Sequence, residues 1–218
     1  MTPIISWLSH YVFCKMVEFK AVVFDWGGVL IDDPAAGLVR YCSKRLGVSA
    51  ERLGEAQEEY LPEFQKGLIL EPEFWKKVCD GLKVPTPRGY SLWGEAFRQV
   101  YSPKEEMFRL AAALNRNDYK TGLLSNTEAP AVKCFYEHNY QMFDVLTFSC
   151  NEKTRKPERR IYEVTLSKLG TKPSETIFID NRADYIQGAR QAGMETVLFK
   201  SPSDTIEKLA SYPIKVSR

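Results

Sequence analysis

Three acids, a lysine and a serine stand in this sequence where chemistry can be done. Asp25 closes the apolar run Ala21-Val22-Val23-Phe24, and Ser125, with Asn126 behind it, closes the run that starts at Thr121. Lys156 lies in Arg155-Lys156-Pro157, just past the run from Phe143 to Phe148. Asp180 ends Thr176-Ile177-Phe178-Ile179, and Asp184 follows in Asn181-Arg182-Ala183-Asp184. Carboxylates brought together repel, and one pKa rises unless a cation lies between them. Asp25 and Asp180 therefore suggest a site for Mg²⁺, an ion that takes one or two carboxylates together with water and substrate phosphate.

These residues can meet only if the elements that carry them end along one edge. The four runs, with a fifth from Thr196 to Phe199, are continuously apolar rather than alternating, as in strands covered on both faces. From 104 onward they alternate with helical patterns over Lys104–Asn115, Ala129–His138, Glu158–Leu169, Ala183–Ala192 and Asp204–Ser211. Such alternation predicts an α/β fold, a Rossmann-like, doubly wound parallel sheet that binds ligands outside the carboxyl ends of its strands. The stretch 34–102 holds no convincing strand and predicts helices over Ala35–Leu46, Ala50–Gln65, Pro72–Leu82 and Tyr90–Val100, broken at Gly47, Gly67 and Pro85-Thr86-Pro87. The expected organisation is a core formed by 19–33 and 103–218, a small all-helical cap over 34–102, and an N-terminal extension over 1–18. Within that extension, Met16 is an alternative start; the other reading is an extra element packed on the core.

Composition excludes several classes of function. At 218 residues, 44% hydrophobic and 27% charged, the chain can bury a real core. Thirty Lys and Arg against 28 Asp and Glu leave a net charge of +2, with no basic run, which argues against a nucleic-acid partner. An uninterrupted apolar stretch of the ~18 residues that a membrane helix needs is missing, so no membrane partner is expected. The five cysteines are scattered without a Cys-x-x-Cys pair, which favours buried thiols in a reducing, cytoplasmic setting. Monomer and homodimer both stay open.

The four polar clusters, in this order and at these strand ends, resemble the motifs of the haloacid dehalogenase-like superfamily with a helical cap inserted after the first motif. The resemblance runs from about Phe19 to about Leu209, and Lys66-Gly67-Leu68-Ile69 with Glu73-Phe74-Trp75 is similar to a common cap segment. It implies that Asp25 is the nucleophile, attacking phosphorus to form an aspartyl-phosphate that water then hydrolyses. By the same likeness Ser125, Asn126, Lys156 and nearby backbone N–H groups hold phosphate oxygens, and Lys156 is also catalytic, offsetting the crowded negative charge. Asp25, the backbone carbonyl of Gly27, Asp180 and Asp184 would hold Mg²⁺. The implied substrate is a small phosphorylated metabolite such as a sugar phosphate. Trp26 and Asn181 read as local packing and turn residues.

The sequence departs from the superfamily's phosphatases at Gly27, where most carry a second aspartate as general acid and base. Losing such a group costs about 10²–10⁴-fold in rate. Glu128, Asn126 and Arg182 are near enough to motif ends to be considered as replacements, and none stands out in the sequence. Other readings are a catalytically attenuated relative, or phosphonoacetaldehyde hydrolysis through a Schiff base on a cap lysine (Lys66, Lys76 or Lys77), suggested by Asp25-Trp26-Gly27-Gly28. Dehalogenation is a further class, disfavoured by the acid at Asp180.

Overall fold

The computed structural model describes residues 18–215. The expected N-terminal extension, with His10 and Cys14, lies outside the described residues up to position 17. Five parallel strands form the sheet: β1 (Ala21–Phe24), β2 (Lys120–Ser125), β3 (Val145–Phe148), β4 (Thr176–Asp180) and β5 (Glu195–Leu198). Their order is β3-β2-β1-β4-β5, the doubly wound arrangement expected from the alternation of strands and helices. The chain steps outward from β1 through β2 to β3, then returns to the other side of β1 for β4 and β5. The carboxyl ends of β1, β2 and β4 are therefore neighbours, which places Asp25 between Ser125 and Asp180.

Burial on both faces explains the unbroken apolar runs. Successive strand side chains point to opposite faces, so Val22 and Phe24 join one apolar cluster while Ala21 and Val23 join another. The second cluster is completed by Ile161, Tyr162 and Leu166 of α9 (Arg159–Leu169) and by Ile186 and Ala189 of α10 (Ala183–Gln191). On the first face lie α6 (Glu105–Arg116), α7 (Ala129–Glu137) and α11 (Pro202–Ser211).

Between β1 and α6 the chain is helical: α1 (Ala35–Leu46), α2 (Ala50–Glu58), α3 (Leu61–Gln65), α4 (Glu71–Leu82) and α5 (Leu92–Val100). The single helix expected over Ala50–Gln65 is two helices. Pro62 has no N–H to donate to the carbonyl of Glu58, and its ring would clash with that group, so α2 ends there and α3 starts afresh with Pro62 in its first turn. A further short helix, α8 (Ser149–Glu152), follows β3 directly and has too few residues to show a period. The two passages joining the helical segment to the sheet run side by side: Asp32 N–H donates to Ser102 O at 2.9 Å and Lys104 N–H to Leu30 O at 2.8 Å. Trp26, Phe97 and Phe135 pack together, so the helices and the sheet share one apolar cluster.

The turn after β1 is tight. The carbonyl of Trp26 accepts from Leu30 N–H at 2.9 Å and Ile31 N–H at 3.0 Å, and Gly28 has φ +88°. A Cβ at Gly28 would also stand 2.4 Å from Asn181 Nδ2. Gly28→Ala is expected to destabilise the protein by about 1–3 kcal/mol through the left-handed backbone and this clash. Gly54→Ala, inside α2 with open space around it, is expected to be neutral or to stabilise by up to ~1 kcal/mol. Urea denaturation of the two variants checks the contrast.

Candidate active site

The site is organised around one lysine. Lys156 is fully buried, and its Nζ lies 2.7 Å from Asp25 Oδ1 and 2.7 Å from Asp180 Oδ2. It also donates to the carbonyl of Leu124 at 3.1 Å. An ammonium has three protons to give, and these three partners use them. Lys156 therefore holds Asp25 in place, and in this conformation it has no proton left for the phosphate oxygen that the sequence reading assigns to it.

Asn126 fixes the backbone of Lys156 from both sides. Its Oδ1 accepts from Lys156 N–H at 2.8 Å, and its Nδ2 donates to Lys156 O at 2.9 Å and to Tyr185 Oη at 3.2 Å. Both amide protons are thus engaged, so Asn126 positions the lysine and not a phosphate oxygen. Asp25 Oδ1 takes a second hydrogen bond from Trp26 N–H at 2.7 Å, and Asp180 Oδ1 accepts from Arg182 N–H at 2.8 Å.

Two buried carboxylates share one cation, and the imbalance falls on Asp25. Burial, then the charge of Asp180, push its carboxyl up to about 7, against the pull of Lys156 and the Trp26 N–H. Burial by itself would lower the Lys156 pKa, but the charges of Asp180 and Asp25 outweigh it and the pKa is raised. The lysine stays charged.

Asp25, Gly27, Ser125, Asn126, Lys156 and Asn181 line one side of a cavity of about 200 Å³. The helical segment supplies Leu38, Gln57, Gln65, Trp93 and Phe97 from the other side. Asp180 is fully buried, bonded to Lys156, and is not among the cavity walls. The adjacent Asn181 does line the cavity, and its buried Oδ1 has no hydrogen-bond partner. Asn181, read from the sequence as a turn residue, is thus a candidate oxygen donor that a one-dimensional pattern could not distinguish from its neighbours. Glu128, one of the residues considered for the missing acid, is a buried wall of the same cavity.

The donor set suits a hard cation. It comprises the Asp25 carboxylate, the free Oδ1 of Asn181 and the peptide group of Gly27, beside a buried excess of negative charge. Mg²⁺ asks for one or two carboxylates and takes its remaining oxygens from water and phosphate. The expected fourth-motif ligand Asp184 is not among the cavity walls. Its carboxylate faces outward, about half exposed, and receives the Arg182 guanidinium at 2.9 and 3.1 Å. Among the described residues, no group of three or more His, Cys, Asp and Glu is placed to hold a metal.

The cap lysines considered for a Schiff base are engaged elsewhere. Lys66 pairs with Glu158, Lys76 with Asp80 at 2.7 Å and Lys77 with Glu73 at 4.0 Å, and none of the three lines the cavity. His138 stacks on Tyr101, outside the cavity walls. Cys42, Cys79, Cys134 and Cys150 are buried and unpaired. Among the described residues no helix is long and apolar enough to cross a membrane.

Comparison with known proteins supplies a family. The family model "haloacid dehalogenase-like hydrolase" matches residues 19–193. The chain is 26% identical over 214 residues to rat bifunctional epoxide hydrolase 2, covering 88% of this chain but 38% of that protein. It is also 26% identical over 203 residues to a D-ribitol-5-phosphate phosphatase of Bacteroides thetaiotaomicron, covering 87% of this chain and 96% of the phosphatase. A family enzyme from the same bacterium, solved with magnesium and inorganic phosphate, superposes with a TM-score of 0.68 at 23% identity, over 84% of this chain and 94% of the other.

The raised pKa of Asp25 has a consequence for stability. A carboxyl that holds its proton more tightly folded than unfolded costs nothing below its ordinary value of 3.8. The cost grows as pH rises towards about 7 and is complete above it. Asp25→Asn is therefore expected to match wild type in thermal stability near pH 4 and to exceed it by several degrees at pH 8. Paired melting curves across this range measure the crossing.

Proposed function

Because this chain belongs to the haloacid dehalogenase-like hydrolases, we propose that it is a Mg²⁺-dependent phosphohydrolase of a small phosphorylated metabolite, working through an aspartyl-phosphate on Asp25. The observation that carries this reading is the buried Asp25–Lys156–Asp180 cluster at the wall of a cavity between the sheet and the helical segment. It holds one carboxylate ready to attack and keeps that carboxylate's charge in place. Lys156 and Trp26 N–H both hold Oδ1, so Oδ2 is the oxygen that attacks phosphorus. Ser125, buried at the end of β2 on the cavity wall, receives phosphate oxygens together with the backbone N–H groups of its loop. Mg²⁺, when bound by Asp25, the Gly27 carbonyl and Asn181 Oδ1, would neutralise charge on the phosphate and favour ionised Asp25. Asp180 contributes its charge and the position of Lys156; Asp184 keeps Arg182 in place beside the opening.

The helices over 35–100 act as the cap, excluding water from the cavity and shaping it for the leaving group. The phosphatase among the similar proteins acts, by its name, on a pentitol phosphate, which supports a phosphorylated polyol or sugar for this site. A cavity of about 200 Å³ suits a substrate of that scale better than a macromolecule.

Hydrolysis of an activated aryl phosphate should require Mg²⁺ and fall by at least ~10³-fold in Asp25→Asn, as for loss of a nucleophile. Unchanged turnover in that variant would overturn the reading. Added Mg²⁺ should raise the melting temperature of wild type at pH 8, and this shift should shrink in Asn181→Ala and vanish in Asp25→Asn. Thermal shift with and without chelator reads it independently of turnover.

A further inference from the structure

Gly27 leaves phosphoryl transfer without a proton donor at the usual place, and the cavity walls include two acids that the mechanism above does not use, the exposed Asp33 and the buried Glu128. Glu128 is the third residue after Ser125, on the same loop from β2 to α7, and only 4% of it is exposed. Its Oε2 accepts the indole N–H of Trp93 at 2.9 Å, so a helix of the cap orients a carboxyl carried by the core. The loop beneath it is held firmly. Thr127 N–H donates to Ser149 Oγ at 2.9 Å, and that hydroxyl donates onward to Gln65 O at 2.6 Å. Trp93 and Gln65, from the helical segment, line the cavity with Glu128, and Asp25 lines the same cavity. A leaving group directed away from Asp25 points towards the cap, which is where this carboxyl is fixed.

We propose that Glu128 is the general acid and base of the reaction, doing the work that an aspartate at position 27 would do; this rests on the phosphohydrolase reading above. In the first step Asp25 Oδ2 forms a bond to phosphorus, the phosphorus–oxygen ester bond breaks, and the Glu128 carboxyl gives its proton to the departing oxygen. In the second step Glu128, now a carboxylate, takes a proton from water as the water oxygen bonds to phosphorus. The bond from phosphorus to Asp25 breaks, its electrons return to the carboxylate, and Glu128 is again protonated. The products are the alcohol and inorganic phosphate.

The surroundings are consistent with a carboxyl that changes state near neutrality. Burial pushes Glu128 up to about 7, with Gln65, the Trp93 N–H and the charge of Arg155 pulling the other way. Other ionisable groups near it are the thiol of Cys150 and, among the walls of the same cavity, Asp25, Asp33, Lys156, Arg182 and Tyr185. A merely structural role, holding Trp93, is the competing account. Glu128→Gln separates the two, because the amide oxygen still accepts the indole N–H but has no proton of the right acidity to give.

The test compares wild type, Glu128→Gln and Asp25→Asn on p-nitrophenyl phosphate and on a set of alkyl phosphates including glycerol and pentitol phosphates. For Glu128→Gln, kcat/KM on alkyl phosphates is expected to fall about 10²–10⁴-fold. On p-nitrophenyl phosphate, whose leaving group needs little protonation, kcat/KM should change by less than about 10-fold. The slowed second step should show as a burst of p-nitrophenol, with phosphate trapped on Asp25 and visible by intact mass. Equal losses on both substrate types, no loss on either, or wild type that cleaves no alkyl phosphate would each overturn the proposal. If instead Asp25→Asn keeps its turnover, or wild type cleaves no phosphate ester at all, the underlying phosphohydrolase reading fails as well.

Discussion

A fully buried ammonium placed between two carboxylates is the constraint on which the rest of this structure depends. Burying a charge is costly unless it is paired and hydrogen-bonded, and Lys156 meets that condition with Asp25, Asp180 and the Leu124 carbonyl. These partners come from β1, β4 and β2, and the lysine itself from the loop beyond β3. The parallel sheet with β1 at its centre is the arrangement that brings those ends together. One negative charge is left over. Burial and then that surplus raise the Asp25 pKa, and in the proposed mechanism a divalent cation offsets the charge. Under that proposed mechanism Asp25 is accordingly a site where stability is given up for reactivity.

The loop after β1 shows how little space the cluster leaves. Gly28 takes a left-handed backbone and lies against Asn181, which couples the turn after Asp25 to the turn after β4. Trp26 fixes the same turn from the other side by packing on Phe97, Phe135 and Phe148. Because Phe97 belongs to α5, the packing that supports the nucleophile also seats the helical segment. Polar contacts repeat the coupling. Trp93 reaches Glu128, Ser149 reaches Gln65, and Lys153 Nζ donates to Gly67 O at 2.6 Å. The site and the helical segment are therefore one packed unit in this conformation.

Gly27 changes the meaning of the cap. Where an acid follows the nucleophile closely, the core supplies both the nucleophile and the proton, and a cap need only enclose. Here the buried carboxyl available to the cavity is oriented by a cap tryptophan. Proton transfer and closure would then be coupled, since a cap that moves away releases the N–H that holds Glu128. A cap lysine serving as a Schiff base has no such support, because Lys66, Lys76 and Lys77 are paired away from the cavity.

The sequence by itself determined the strands, their parallel order of use and the residues at their ends. Strand burial on two faces writes unbroken apolar runs, and the polar residue that ends each run is adjacent to it in the chain. That is why Asp25, Ser125, Lys156 and Asp180 were legible before any coordinates. Local pattern also carries the helices over 35–100, though not the break that Pro62 imposes between α2 and α3. Tertiary structure alone decided what each polar side chain does. It used every proton of Lys156 and of the Asn126 amide on protein partners, turned Asp184 outward to Arg182, and left the buried Oδ1 of Asn181, a residue of the cavity wall, without a partner. It also buried Glu128 against a residue of α5. Hydrogen-bond partnership and desolvation depend on neighbours remote in the chain, and no spacing along one dimension records them.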